Sequence, residues 1–527
     1  MPLERSAYQA LESIVGPENI SENPAVLAGY SFYPIASITI GNQPPSKWKL
    51  FPDAVILPGS TEEVQAIVKT CNRWGIHFKA QSTGWAPFAA ISKKNSVLLD
   101  MRRMNRILEI DEKNMYAVVE PYVSAMQLRA EAMKRGLICH VIGAGPNHSI
   151  LASCSGWEGI GATAYTTSHN NRNILGMEWV IPTGEIVRFG ALGSGAGWFC
   201  GDGPGPSLRG VFRGKAGPSG GLGVCTKIGY KLYPWPGPPE LKVVGQIPSW
   251  GYEIPENIKL YIAEFPDWKS VNDAIHKIGD AKIGYFVWRT NSPESVALLL
   301  APMVGIGGMA QVYELIEKIF PRHRLEITLA GHSAEELEYE EMVLKDIVEE
   351  TNGKLKNVED DPFLGPLKEF LFSALAFQNY NAAIFSLTGD FCSSFGSLVS
   401  LDRAMRAIPI GIQIRKKYVD AGNFVQDGPE NYWGGPEEQS RHAHYEGLIG
   451  YDPSDSESLK AVQKYSEEEM EAVVKEKLGE PIGRYGDPGS EILGPHMCNY
   501  HTWVRRIKKA LDPKNLSDGG GFYVEPE

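Results

Sequence analysis

The sequence predicts an α+β protein of two domains, and three observations carry that prediction. Short strands alternate with helices as far as about residue 135. A stretch rich in glycine and other small residues follows, from 151 to 229. A Pro-rich segment at 233–239 then marks a shift in composition toward longer helices, as at a domain boundary. A chain of 527 residues exceeds one ordinary core, and 43% hydrophobic with 22% charged residues describes a globular protein.

Taken in order, a short helix opens the chain and 54–58 reads as a strand. Ser60 caps a helix that carries Glu62 and Glu63 in its first turn and runs to about Trp74. A second strand at 76–80 leads into the tight segment Gln81-Ser82-Thr83-Gly84. Strands at 97–99, 107–110 and 116–119 and a helix at 125–135 follow. Segments 176–181 and 185–189 form a hairpin about a two-residue Thr183-Gly184 turn. Beyond the linker, helices are expected at 311–319, 334–351 and 456–478, with an apolar strand at 382–387. The stretch 481–527 returns to Gly, Asp and Pro.

Several classes are excluded on composition. A net charge of −12 argues against non-specific nucleic-acid binding, which needs a basic face. Seven scattered cysteines, odd in number and without Cys-x-x-Cys, suit free thiols and give no iron–sulfur or zinc framework. The opening Met-Pro-Leu-Glu-Arg has no basic-then-apolar signal, and the apolar stretch 295–310 is broken by Pro302, Gly305 and Gly307. The expectation is a cytoplasmic protein with no membrane span and no bound metal.

The Gln81–Gly84 segment is small and hydroxylic, and a strand-to-turn segment of this kind aims backbone N–H groups at one point, as a diphosphate requires. Alone it reads equally well as a polar turn. Glycine-rich stretches at 153–161 and 214–223, with the hairpin between them, add places where bare backbone approaches a ligand.

Pro58-Gly-Ser-Thr-Glu-Glu-Val-Gln65, the Gln81–Gly84 turn, 97–107 (Val-Leu-Leu-Asp-Met-Arg-Arg-Met-Asn-Arg-Ile), Ala117-Val-Val-Glu-Pro121, Gly223-Val-Cys-Thr-Lys-Ile-Gly229 and 506–516 resemble the vanillyl-alcohol oxidase/p-cresol methylhydroxylase superfamily of FAD enzymes. Gly176-Met-Glu178 and Thr226-Lys-Ile-Gly229 are most similar to its 4-alkylphenol-oxidising branch. The resemblance implies a p-cresol methylhydroxylase (PCMH)-type FAD-binding domain of two subdomains over 1–238. It implies an α/β substrate-binding cap over 239–480, and a 481–527 segment returning to the FAD domain. Gln81, Ser82, Thr83, Gly84 and Trp85 would lie at the pyrophosphate, and Ser153, Gly156, Gly161, Gly223 and Val224 along the flavin and ADP, with Asn515 completing the domain. The implied chemistry is hydride transfer from a substrate C–H bond to flavin N5.

The chain also departs from the family pattern. Trp85 stands where many members carry a flavin-linking His, and 389–393 lacks the His or Tyr of a cap linkage, so FAD is expected to be dissociable; Cys392 is a conceivable thioether site. Of the Tyr-Arg pair that holds a phenolate, Tyr485 is kept, but Gly486 follows and Arg484 precedes, on the opposite face of a strand. Ser168-His169-Asn170-Asn171 replaces the carboxylate near N5, with His169 or Asn170 as donor. His442 and His444 share one strand face and read as catalysts, as metal ligands or as a half-buried polar strand.

The Gly305-Ile-Gly307-Gly-Met-Ala310 match to a dinucleotide fingerprint lacks a βαβ unit and reads as a cap loop. His496 and His501 face either the flavin or solvent, and Tyr165 and Tyr432 line a pocket or the core. The expected partners are a small-molecule substrate (phenolic, benzylic or other alcohol) and an electron acceptor, either oxygen or a redox protein. Assembly as a homo-oligomer or as a subunit of a redox complex is expected. Two alternatives stand beside this reading: the flavin subunit of a hydroxy-acid dehydrogenase, and a catalytically idle flavin-fold scaffold.

Overall fold

A computed structural model describes residues 3–31, 50–84, 89–143, 145–156, 159–199, 202–203, 205–213, 217–246, 250–290, 320–378, 391–396, 399–425, 432–452, 454–479 and 486–519. Trp85, Arg484 and Tyr485, the expected helix at 311–319, the strand at 382–387 and the glycine motif at 305–310 lie outside these residues, as does the side chain of Cys392. So do parts of the two glycine-rich stretches, at 157–158 and 214–216.

Among the described residues, the N-terminal half holds two main sheets beside the two-stranded pair of Leu137–Ile138 with Tyr233–Pro234. In the first, the parallel strands Ala54–Ile56, Ser96–Asp100 and His77–Gln81 are joined at one edge by Ile20–Ser21. The helix Thr61–Trp74 covers it, and the sequence sets both helix ends. Ser60 Oγ accepts from Glu63 N, Glu63 reaches back to Gly59 N at 2.7 Å, and Gly75 closes the helix at φ +65°. The second sheet is antiparallel, in the order Ile107–Asp111, Tyr116–Val119, Val224–Lys231, Ile174–Val180, Ile186–Arg188. The expected two-residue turn in its hairpin is corrected: Ile181 N donates to Glu185 O, so Pro182, Thr183 and Gly184 form a three-residue loop with Gly184 at φ +90°.

Residues that carry the family resemblance tie these sheets together. Buried Glu178 accepts from Thr61 Oγ1 and Lys227 Nζ, both at 2.7 Å, and from Arg188 at 2.8 Å. Glu120 takes Arg106 through both carboxylate oxygens.

The second half packs its helices on two further sheets, ordered Phe286–Trp288, Arg324–Ala330, Ile258–Glu264, Lys354–Asn357 and Phe391–Phe395, His442–Gly450, Tyr432–Glu437. Arg289 and Gly434 bridge the two with a reciprocal pair of backbone bonds. One hydrophobic cluster binds these sheets to Trp268–Ala281, Ala334–Glu350, Leu401–Asp420 and Ser456–Glu476. Tyr165, from the first half, and Tyr432 are both fully buried in that cluster, as core residues.

The chain then comes back to the first sheet. Ser517 forms a parallel bridge with Phe78, and Asp518 receives Ser92 N and Oγ, each at 2.6 Å. Buried Lys508 gathers Asp512 Oδ2, Gly221 O and Ser517 O within 2.7 Å. Among the described residues no helix is long and apolar enough to cross a membrane.

Candidate functional site

The turn after strand His77–Gln81 offers what a diphosphate needs. Among the described residues, the amides of Ser82, Thr83 and Gly84 donate to no acceptor, and Gly84 stands at φ +68°. Thr83 Oγ1 accepts from Ser149 N at 3.1 Å, which joins the turn to the short helix Ile150–Ser155. Two histidines not singled out by the sequence analysis are buried in the same half, His148 next to Ser149 and His140 against Thr163 and Thr167. The Nε2 atoms of His140 and His148 are buried without a partner, and burial pushes the two rings down to about 3 and about 4, so both are neutral near pH 7. Unfilled amides, together with one open nitrogen on each of two uncharged imidazoles, fit a bound dinucleotide whose ring nitrogens and phosphates supply the complementary groups.

The other expected cofactor residues have visible structural work. A Cβ at Gly161 would run into Val141 O, and one at Gly223 into Val180 O, so backbone packing against backbone accounts for both glycines. Gly223 N is already given to Ser517 Oγ at 2.9 Å, and Val224 begins a buried strand. Ser153 Oγ donates to Ile150 O at 3.0 Å and accepts from Asn170 Nδ2; Gly156 caps the same helix. Asn515 turns the chain at φ +52°.

A second centre forms where the two halves meet. Strands Tyr432–Glu437 and His442–Gly450 are an antiparallel hairpin whose register places Glu437 opposite His442. Its tip, Glu438, Gln439 and Ser440, runs through three successive left-handed residues at φ +47°, +54° and +67°. That strained tip is held against the first half by Glu438 N to Ala164 O at 3.2 Å and Gln439 N to Tyr165 O at 3.0 Å.

The docking brings Glu437 to His169. His169 Nδ1 lies 3.0 Å and His442 Nε2 3.1 Å from the same oxygen, Glu437 Oε2, with the two rings perpendicular and 5.6 Å apart. Burial raises the Glu437 carboxyl, but the bonds to the two histidines outweigh it and hold the group far below the ordinary carboxylate range. The shared acceptor fixes both tautomers: His169 carries its proton on Nδ1 and His442 on Nε2, leaving His169 Nε2 and His442 Nδ1 as acceptors. Glu437 Oε1 is buried without a partner. Ligand atoms of the three side chains lie within 4.8 Å of one another, close enough to share a proton or, once it is lost, a cation.

His444, expected on the same face as His442, is not part of this cluster. It lies 3.2 Å from Glu446 Oε2 and edge-on to Trp433. Asn170, the other expected donor, is committed to Ser153 and to the hydroxyl of Tyr230. His496 is exposed and His501 half-buried. Glu437 is the residue the sequence analysis missed. Its place five residues before His442, across a hairpin tip, was its one local signal.

A family model described as an FAD binding domain matches residues 52–190. The 4-cresol dehydrogenase [hydroxylating] flavoprotein subunit of Pseudomonas putida is 32% identical over 194 residues, covering 35% of this chain and 36% of its own length. The 1'-carboxy-chondrochloren decarboxylase of Chondromyces crocatus is 30% identical over 249 residues, covering 45% of this chain and 41% of its own length. The chain therefore spans well under half the length of these curated relatives. In fold, the crystal structure of p-cresol methylhydroxylase with substrate bound matches with a TM-score of 0.75 at 19% identity, over 100% of this chain and 99% of that one. Residues 52–190 therefore form an FAD binding domain, and the chain as a whole shares the fold of p-cresol methylhydroxylase.

Proposed function

We propose that the chain is an FAD-dependent oxidoreductase that oxidises a small organic alcohol or phenol at a carbon held between the FAD domain (1–238, completed by 481–527) and a cap (239–480). Bound, non-covalent FAD supplies the hydride acceptor at N5. The amides of Ser82, Thr83 and Gly84 hold its diphosphate. The observation that carries the reading is Glu437 shared by His169 and His442, one histidine from each half of the chain. The substrate hydroxyl gives its proton to His442 Nδ1 or His169 Nε2, and the charged carboxylate stabilises the imidazolium that forms. Tyr485 is proposed to orient the substrate oxygen, with Arg484 beside it. His444, one pleat further along the same strand, is left a supporting part.

A second reading, an acidic substrate, draws on the carboxy group in the decarboxylase relative's name and on the charges considered next. The electron acceptor is proposed to be oxygen or a redox protein, and the setting cytoplasmic.

The test is the visible spectrum of the purified protein before and after acid precipitation, followed by a substrate panel with a dye acceptor. Yellow colour released to the supernatant and bleached by an alcohol or phenol is the expected result. A colourless protein that takes up no added FAD would refute the assignment.

A further inference from the structure

Beside the Glu437 cluster lies a concentration of positive charge that the proton chemistry leaves unused. Lys231 ends the strand Val224–Lys231, and its neighbour Tyr230 pairs with Ile174, so Lys231 stands next to the 170–173 segment that carries Arg172. Arg209 donates to Leu175 O at 2.9 Å on the adjoining strand, and the short helix it begins ends at Arg213. Three chain segments therefore bring four cations to one end of the five-stranded sheet.

Only two carboxylates are paired with them in the described residues. Arg172 bonds Glu438 at 2.9 Å, and Arg209 bonds the exposed Asp202 at 3.3 Å. Arg213 and Lys231 are half-buried and have no hydrogen-bond acceptor among the described residues. Burial depresses both groups and the neighbouring arginines press in the same direction, while Glu438 opposes them at both residues and Asp202 at Arg213. A chain with a net charge of −12 has carboxylates to spare, yet among the described residues none bonds to these two, and Glu438 and Asp202 reach them only through the field.

The cluster also adjoins the reacting groups. Glu438 joins them: it accepts from Ser168 Oγ and from Arg172, and its Oε2 lies 3.9 Å from His442 Nδ1. Arg213 and Lys231 therefore share the field of Glu438 with the proton-accepting nitrogen of His442.

We infer that the substrate carries an oxyanion, a carboxylate or a phosphate, which Arg213 and Lys231 bind while Arg172 and Arg209 add field. This rests on the oxidoreductase reading and narrows its substrate class from a neutral alcohol or phenol to an anionic one. Two unpaired, partly desolvated cations favour a charged ligand group over a hydroxyl, because charge-assisted bonds are roughly twice as strong as neutral ones.

Calorimetric titration of the FAD-loaded protein with phenylacetate, phenyl phosphate and benzyl alcohol tests this. Both anions, or one of them, should bind at least about tenfold more tightly than the alcohol, and lose that margin as salt is raised. Whichever anion binds better names the oxyanion. Arg213→Gln and Lys231→Gln should each weaken it by about tenfold while leaving the alcohol unchanged. Equal binding of anion and alcohol by the unaltered protein overturns the proposal, as does a double variant with the original anion affinity. Failure of the oxidoreductase reading looks different: the protein would hold no flavin, while the same titration of the flavin-free protein would still report on the cations.

Discussion

Glu437 has to be ionised for either histidine beside it to keep its tautomer, and two imidazole N–H groups on one oxygen keep it so. Glu437→Gln removes the charge at nearly constant shape, and an amide cannot stabilise an imidazolium. Flavin reduction under single-turnover conditions is expected to slow by about 10²- to 10⁴-fold, with the bound-FAD spectrum unchanged. His442→Ala should act alike and His444→Ala much less; equal loss in both histidine variants would return His444 to the centre. The two histidines of the cluster were legible in the sequence, because His is uncommon and its chemistry is local. Their shared carboxylate was not. Pro436-Glu437-Glu438 reads as a solvated turn, and only tertiary docking against Ala164 and Tyr165 takes Glu437 out of water.

At the scale of elements, the C-terminal return depends on one cation. Lys508 is buried against Asp512 and two carbonyls from separate segments. Lys508→Met would leave Asp512 charged and buried, a loss of about 3–5 kcal/mol, expected as a lower denaturation midpoint together with weaker FAD retention. Lys508→Arg tests whether charge alone is enough; the crowding of three acceptors within 2.7 Å predicts that it is not. Helix ends were legible wherever a cap is a sequence signal, as at Ser60 and Gly75. The helix Leu401–Asp420 was not foreseen: it carries Pro409 inside, which as sequence argues for a break, and burial of its apolar face overrides that preference. The three-residue loop at 182–184 was misjudged because Thr-Gly alone does not reveal which flanking residue closes the ladder.

Over the whole molecule, acid should be damaging well before ordinary carboxylates are protonated. His140 and His148 are neutral in the folded protein, at about 3 and about 4, and regain their usual value on unfolding. Their contribution is complete above about pH 6.5 and is lost as pH falls, by about 2 kcal/mol each at pH 5. Glu340, pushed up to about 7 by burial, works the other way and erodes stability as pH rises from its unfolded value toward 7, though water screens part of that. The net expectation is a protein more stable at pH 7 than at pH 5 by about 2 kcal/mol, read from denaturant midpoints. His140→Gln together with His148→Gln should reverse that difference, leaving the Glu340 effect and a protein less stable at pH 7 than at pH 5 by up to about 2 kcal/mol. The mixture of helices and sheets was legible because short strands alternate with helices in the sequence, whereas the cation cluster was not: Arg172, Arg209, Arg213 and Lys231 are spread through the sequence and meet only once the sheet has formed.

The bridge between Phe78 and Ser517 joins segments far apart in the chain, with the second sheet and both sheets of the second half synthesised in between. During translation the edge of the first sheet has no partner until residue 517 has been made. The two later sheets, whose strands and helices are contiguous, have what they need sooner. Ribosome-stalled chains ending before residue 512 should then show a protease-resistant second half and a still-digestible first sheet.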